Sequence, residues 1–148
     1  MKEKTIDYLL RTTWQAVSRM YNEEAAKYDA TMATGFALLS IDKENGTPSS
    51  AIGLRMGMEP TSLTRTLKSM EEKGLIFRQK NPDDGRGVLI YLTDFGKEKR
   101  ALSKENVLLF NESIKNAIGI DQLKNFVAVS EMITEMITEK KIFKVVTT

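Results

Sequence analysis

The 148-residue chain contains no cysteine and no histidine. Disulfides, thiol redox sensing and Cys/His zinc sites are thereby excluded. So is catalysis that depends on an imidazole base or a thiolate nucleophile. No phosphate-cradling glycine loop is present, and no carboxylate cluster suggests a metal site. The chain therefore does not read as an enzyme, and no cofactor or metal is implied. No apolar run approaches the roughly 20 residues of a membrane helix. The amino-terminal region is charged and amphipathic rather than a signal peptide, so no membrane partner is expected and the cytoplasm is the expected location.

What is present is an ordinary globular composition, with 41% hydrophobic and 28% charged residues. The length suits a single domain over residues 1–148 with a substantial core. The net charge of +2 points to no partner by itself, but it is unevenly spread. Residues 1–53 carry six basic and seven acidic groups, residues 54–100 ten and seven, and residues 101–148 six of each. The basic excess lies in the middle, where a polyanion would be met.

Hydrophobic spacing predicts mostly helix. From Thr5 to Tyr28, Ile6, Leu9, Leu10, Thr13, Trp14, Val17, Met20 and Tyr21 recur at three- and four-residue intervals. Asp29 to Thr34 reads as a break. Phe36, Leu38, Leu39 and Ile41 mark a short second helix, ended by the turn residues Asn45-Gly46. Thr47 is placed to cap a third helix with Pro48 in its first turn, Ile52 and Met56 inward, and Gly57 as its stop. Pro60 opens a fourth, whose buried stripe is Leu63, Leu67 and Met70, closed by Gly74.

Two β-prone runs follow, 75–80 and 88–92, around the Pro- and Gly-containing segment 81–87, which is read as a turn or extended tip. Thr93 caps a long helix with Phe95, Leu102, Leu109 and Phe110 on its apolar side. Val107 to Phe110 is apolar nearly all round and is expected to be buried on two sides. After a break near Gly119 a last helix carries Leu123, Phe126, Val127, Met132, Ile133, Met136 and Ile137. The tail from Lys140 reads as frayed.

Two helices joined at a glycine, then a hairpin, make a winged helix-turn-helix over residues 47–93. The fold class is mainly α with a small β-hairpin wing. A recognition helix must show short donors and an arginine at its amino-terminal half, on a firm apolar back. Ser62 and Arg65 share one face, flanked by Thr61, Thr64 and Lys68. Arg65 can fork onto a guanine, while Lys68 and the hydroxyls suit phosphates. The competing reading is a plain solvated helix face. Arg86, between Gly85 and Gly87, suits a minor groove. Alternatively it pairs with Asp83 or Asp84, and both roles can hold together.

Residues Ile52 to Thr93 resemble the MarR (multiple antibiotic resistance regulator) family of bacterial transcription regulators. The matching pieces are Ile52-Gly53, Met56-Gly57, Leu63-Thr64-Arg65 and Glu71-x-x-Gly74-Leu75-Ile76. Asp84-x-Arg86 and Leu92-Thr93-x-x-Gly96 complete them, and the helices on either side match in layout. The resemblance implies a homodimer in which helices within 1–28 and 94–140 interlock and two winged lobes straddle a pseudo-palindromic operator on double-stranded DNA. The long apolar stripes agree with pairing, although packing within one chain would also use them.

The resemblance further implies a regulator, commonly a repressor, released by a small apolar or aromatic effector. Trp14, Met20, Phe36 and Leu39 are the candidate lining, against the plainer reading that they are core. Gly85, Gly87 and Leu54 depart from the family pattern, the glycines by lowering the charge of the wing. The rival function is a winged-helix protein-interaction module that binds no DNA.

Overall fold

The structure, a computed structural model, describes residues 3–57 and 62–143. Among them lie helices α1 (Ile6–Ala26), α2 (Met32–Ser40), α3 (Ser49–Met56), α4 (Leu63–Glu72), α5 (Asp94–Ala117) and α6 (Ile120–Thr138). Three strands accompany them: β1 (Thr47–Pro48), β2 (Ile76–Asn81) and β3 (Asp84–Leu92). The chain divides into two compact units, Met1–Glu105 and Asn106–Thr148. No described helix is long and apolar enough to cross a membrane.

The core lies in the first unit. Ala37, Leu38 and Ile41 from α2 and its end meet Ile52 of α3, Leu67 and Met70 of α4, and Leu75, Ile76, Ile90 and Leu92. The expected α4 stripe is therefore inward, with Leu63 packed at its margin. Thr5 caps α1 by accepting from the Tyr8 amide, as its place before the first apolar residue implies. Thr31 does the same for α2, so the break expected at 29–34 is shorter than the sequence suggested. The chain turns through Asp29 at φ 55°.

Gly57, at φ 61°, ends α3 in the left-handed conformation. Gly74, at φ 76°, ends α4 in a Schellman motif: its N–H bonds the Glu71 carbonyl at 3.1 Å, and that of Leu75 bonds the Met70 carbonyl at 2.9 Å. Leu75 and Met70 are both core residues, so the motif's apolar contact is also made.

The segment around Thr47 differs from expectation. Thr47 and Pro48 are not a helix cap and first turn but a short strand, paired antiparallel with Ile90 and Leu89 of β3. The sheet order is β1-β3-β2. Thr47 is fully buried, and its hydroxyl accepts from the Asp42 amide at 2.8 Å, which removes it from capping. Pro48, with no N–H to offer a ladder, occupies an edge strand, where that costs little.

The wing also differs. The turn is the pair Pro82-Asp83, tightened by the Asp83 amide donating to Asn81 Oδ1 at 3.0 Å. Residues 85–87 belong to β3 rather than to an open tip. Asn81 faces Asp84 and Lys80 faces Val88, so Gly85, Arg86 and Gly87 are inserted as a bulge.

In the second unit, α6 buries no residue fully. Val107 to Phe110 is not enclosed on two sides within the chain: Leu108 is 58% exposed and Leu109 59%. Apolar periodicity signals that a face needs cover, but not which chain supplies it.

Candidate nucleic-acid interface

The site is built on α4 and the wing. Leu67 and Met70 anchor the inner side of α4, and residues off that stripe face solvent. Ser62, Thr64, Arg65 and Lys68 are all exposed. Ser62 occupies the N-cap position without making a side-chain capping bond, so capping does not consume its hydroxyl. Thr61 lies outside the described residues. Arg86 falls on the β3 backbone, and its side chain, like that of Asp84, lies outside what the structure describes. The sequence-derived pairing of the two is therefore not part of the geometry.

Cations around the site fall into two groups. Some are engaged in holding the fold together. Arg78 of β2 pairs with Glu71 of α4 at 3.3 Å, tying wing to recognition helix across the Gly74 turn. Arg55, Lys73, Lys97 and Arg100 also bind protein oxygens. Others make no hydrogen bond or ion pair among the described residues: Arg65 and Lys68 on α4, and Lys80 on β2. Sequence reasoning took Lys80 only as part of a strand. Its alternation with Gln79 one place before the bulge was the available signal, but it needed the strand register to become a position. Unpaired, exposed cations on a rigid back are the requirement for meeting phosphates and base edges.

The junction of wing and α5 is set by Leu92-Thr93-x-x-Gly96. Leu92 is buried. The Thr93 hydroxyl accepts from the Gly96 amide at 3.0 Å, capping α5, and donates to the Gly74 carbonyl at 2.6 Å. Gly96 lies so close to Leu75 that a Cβ would stand 2.0 Å from its carbonyl oxygen. The last strand of the wing, the end of the recognition helix and the start of α5 are thus fixed at one point.

The candidate effector residues lie on α1 and α2. Trp14 is 47% exposed and Met20 36%, while Phe36 and Leu39 are half-buried. Phe36 meets the Tyr21 ring edge-on, centroids 5.7 Å apart, and burial raises the Tyr21 phenol above its ordinary 10.0. The hydroxyl of Ser18, one turn before Tyr21, is buried with no hydrogen-bond partner. The structure brings Phe36 to α1.

A helix-turn-helix with an exposed basic recognition face, a bulged wing and flanking long helices defines a winged helix-turn-helix protein. The MarR family model matches residues 30–88. SarZ of Staphylococcus saprophyticus, an HTH-type transcriptional regulator, is 30% identical over 130 residues, covering 84% of this chain and 89% of SarZ. In structure the chain is similar to MepR of S. aureus in its DNA complex, with a TM-score of 0.81 and 18% identity over 90% of this chain and 99% of MepR. It is also similar to PcaV of Streptomyces coelicolor, solved with its natural ligand, with a TM-score of 0.76 and 19% identity over 91% and 98% of the two chains. The chain belongs to the MarR family of DNA-binding transcription regulators.

Proposed function

We propose that this protein represses transcription by binding a pseudo-palindromic operator as a homodimer, and that a small apolar or aromatic effector releases it. The observation that carries the reading is the outer face of α4. Arg65 and Lys68 stand exposed and without ion pairs among the described residues, on a helix whose back is locked by Leu67 and Met70.

In this reading Thr61, Ser62, Thr64, Arg65 and Lys68 enter the major groove, with Arg65 reading a base and the others setting register on phosphates. Arg86, and Lys80 beside it in the wing, meet the neighbouring minor groove and its backbone. The exposed apolar faces of α1 and α6 supply the two-fold contact. Trp14, Met20, Phe36 and Leu39 contact the effector. To act as a switch the effector must prefer the non-binding conformation; moving a population from 1:99 to 99:1 takes about 5.5 kcal/mol of differential affinity.

Selection from random duplexes at moderate salt tests the reading. A symmetric enriched motif is expected, with binding that weakens steeply as salt rises. Recovery of no symmetric motif would sink it.

A further inference from the structure

Cations grip the chain on either side of α2, at its carboxyl end and at the α1–α2 turn that precedes it, and each place is held from the helix-turn-helix side and from α5. At the carboxyl end, Arg55 of α3 donates from Nη1 to the Ser40 carbonyl at 3.2 Å and lies 3.6 Å from the Asp42 carboxylate. Arg100 of α5 donates from Nε to the Ile41 carbonyl at 3.2 Å. Lys97, one turn earlier on the same face, pairs with Glu44 at 3.5 Å. At the turn before α2, Lys73, the C-cap of α4, donates to the Asp29 carbonyl at 3.1 Å. Lys99 of α5 sits 5.4 Å from the centroids of both the Tyr28 and the Phe95 rings.

There is a physical reason for this arrangement. α2 ends in the extended residue Ile41, not in a left-handed glycine. Its last carbonyls therefore lack the usual Schellman donors and need others. Guanidinium groups satisfy them and are favoured by the negative end of the helix dipole. Bonds to backbone carbonyls also constrain position in a way that pairs of long surface side chains do not. Holds on either side of α2 limit how far it slides or pivots against the elements that grip it.

We propose that Arg55, Lys73, Lys99 and Arg100 are positioning residues that fix the recognition helix relative to the amino-terminal half of α5, with α2 as the strut between them. Their cationic ends are engaged by the protein and do not contact DNA. The DNA arm of the test rests on the function proposed above; the distance arm does not.

The absence of cysteine makes a direct measurement possible. Glu72→Cys on the recognition helix α4 and Lys104→Cys on α5, both exposed, are spin-labelled, and labelled chains are diluted into excess unlabelled chains so that only distances within one chain are read. R55Q/R100Q and K73Q/K99Q should each broaden the distance distribution, K68Q should leave it unchanged, and R100K, which keeps a long cationic donor, should stay narrow where R100Q, with a shorter neutral amide, is broad. The single variants R100Q and R100K decide the matter should a double variant fail to fold, and equal widths in all of them overturn the proposal.

On a duplex recovered by selection, R55Q/R100Q should bind about tenfold more weakly. Its log–log salt slope should be unchanged, and it should lose the preference for the native half-site spacing over a spacing altered by one base pair. A slope reduced by about 0.9 for each cation removed would make these residues phosphate contacts and overturn the positioning role. If the unaltered protein binds no duplex, the operator reading fails while the distance measurement still decides this one.

Discussion

The Thr93 hydroxyl and the missing side chain of Gly96 show how much can rest on single atoms. One hydroxyl caps α5 and holds the end of α4, and one absent Cβ lets the helix approach the Leu75 carbonyl. Gly96→Ala should cost about 3 kcal/mol, since the obstacle is backbone and cannot rotate away. Thermal unfolding should then fall by roughly 10 °C, whereas Gly85→Ala, where a Cβ meets nothing within 4 Å, should change the midpoint little. At the same scale, Arg65 and Lys68 are separable. Arg65→Ala should relax base preference at one position per half-site and lose roughly 1–3 kcal/mol of discrimination there. Lys68→Ala should weaken all sequences alike and lower the salt slope by about 1 for each half-site. Competition binding against single-base operator variants across a salt series reads both, and identical profiles for the two variants would remove the division of roles.

Among the elements, the wing is where sequence and structure diverge most usefully. The Pro- and Gly-containing run from Asn81 to Gly87 ruled out helix, but turn chemistry alone did not choose between an open tip and a two-residue turn with a bulged strand. Cross-strand pairing chose: β3 keeps Val88 opposite Lys80 and Ile90 opposite Arg78, and the surplus residues 85–87 are accommodated by bulging. The same pairing drew Thr47 and Pro48 into the sheet, because burying Thr47 against β3 satisfies more groups than capping α3 would. The bulge carries Arg86 and stands next to Lys80, so the two should act as a unit on the backbone and the minor groove. Arg86→Ala should weaken operator binding with little effect on major-groove base choice, and Lys80→Ala should lower the salt slope by about 0.9 for each half-site. Footprinting combined with affinity against salt checks both; an unchanged slope for Lys80→Ala would place that lysine away from the DNA.

At the scale of the whole molecule the conspicuous feature is apolar surface left uncovered. α1 and α6 bury no residue fully. Ile6, Leu10 and Trp14 on α1 are about half exposed or more, as are Leu108 and Leu109 on α5 and Phe126, Met132 and Ile137 on α6. Helices that leave this many large apolar side chains exposed commonly cover them by isologous pairing. Phe126, at 64% exposure, should therefore be buried in the proposed dimer. Phe126→Glu should sediment as a monomer at micromolar concentration where the unaltered chain sediments as a dimer, and its operator affinity should collapse toward that of one half-site. A monomeric unaltered chain would remove the two-fold reading.

The sequence by itself determined the helices, the glycine stops of α3 and α4, the cap of α5, the inward stripe of α4 and the identity of the residues facing away from it. These depend on local chemistry: the period of apolar residues, left-handed glycines at Gly57 and Gly74, and the hydroxyl cap at Thr93. The motif Leu92-Thr93-x-x-Gly96 was legible as a pattern, but its reason was not, since the carbonyl that forbids a Cβ at Gly96 belongs to Leu75, 21 positions earlier. Tertiary structure alone decided what depends on partners distant in the chain. It placed Thr47 in a strand, set the register that bulges residues 85–87, and divided the cations into those that hold α2 and those that stand open on α4 and the wing. Local propensity acts over a few residues; strand pairing, backbone approach and charge engagement are settled only when segments far apart in sequence are packed against one another.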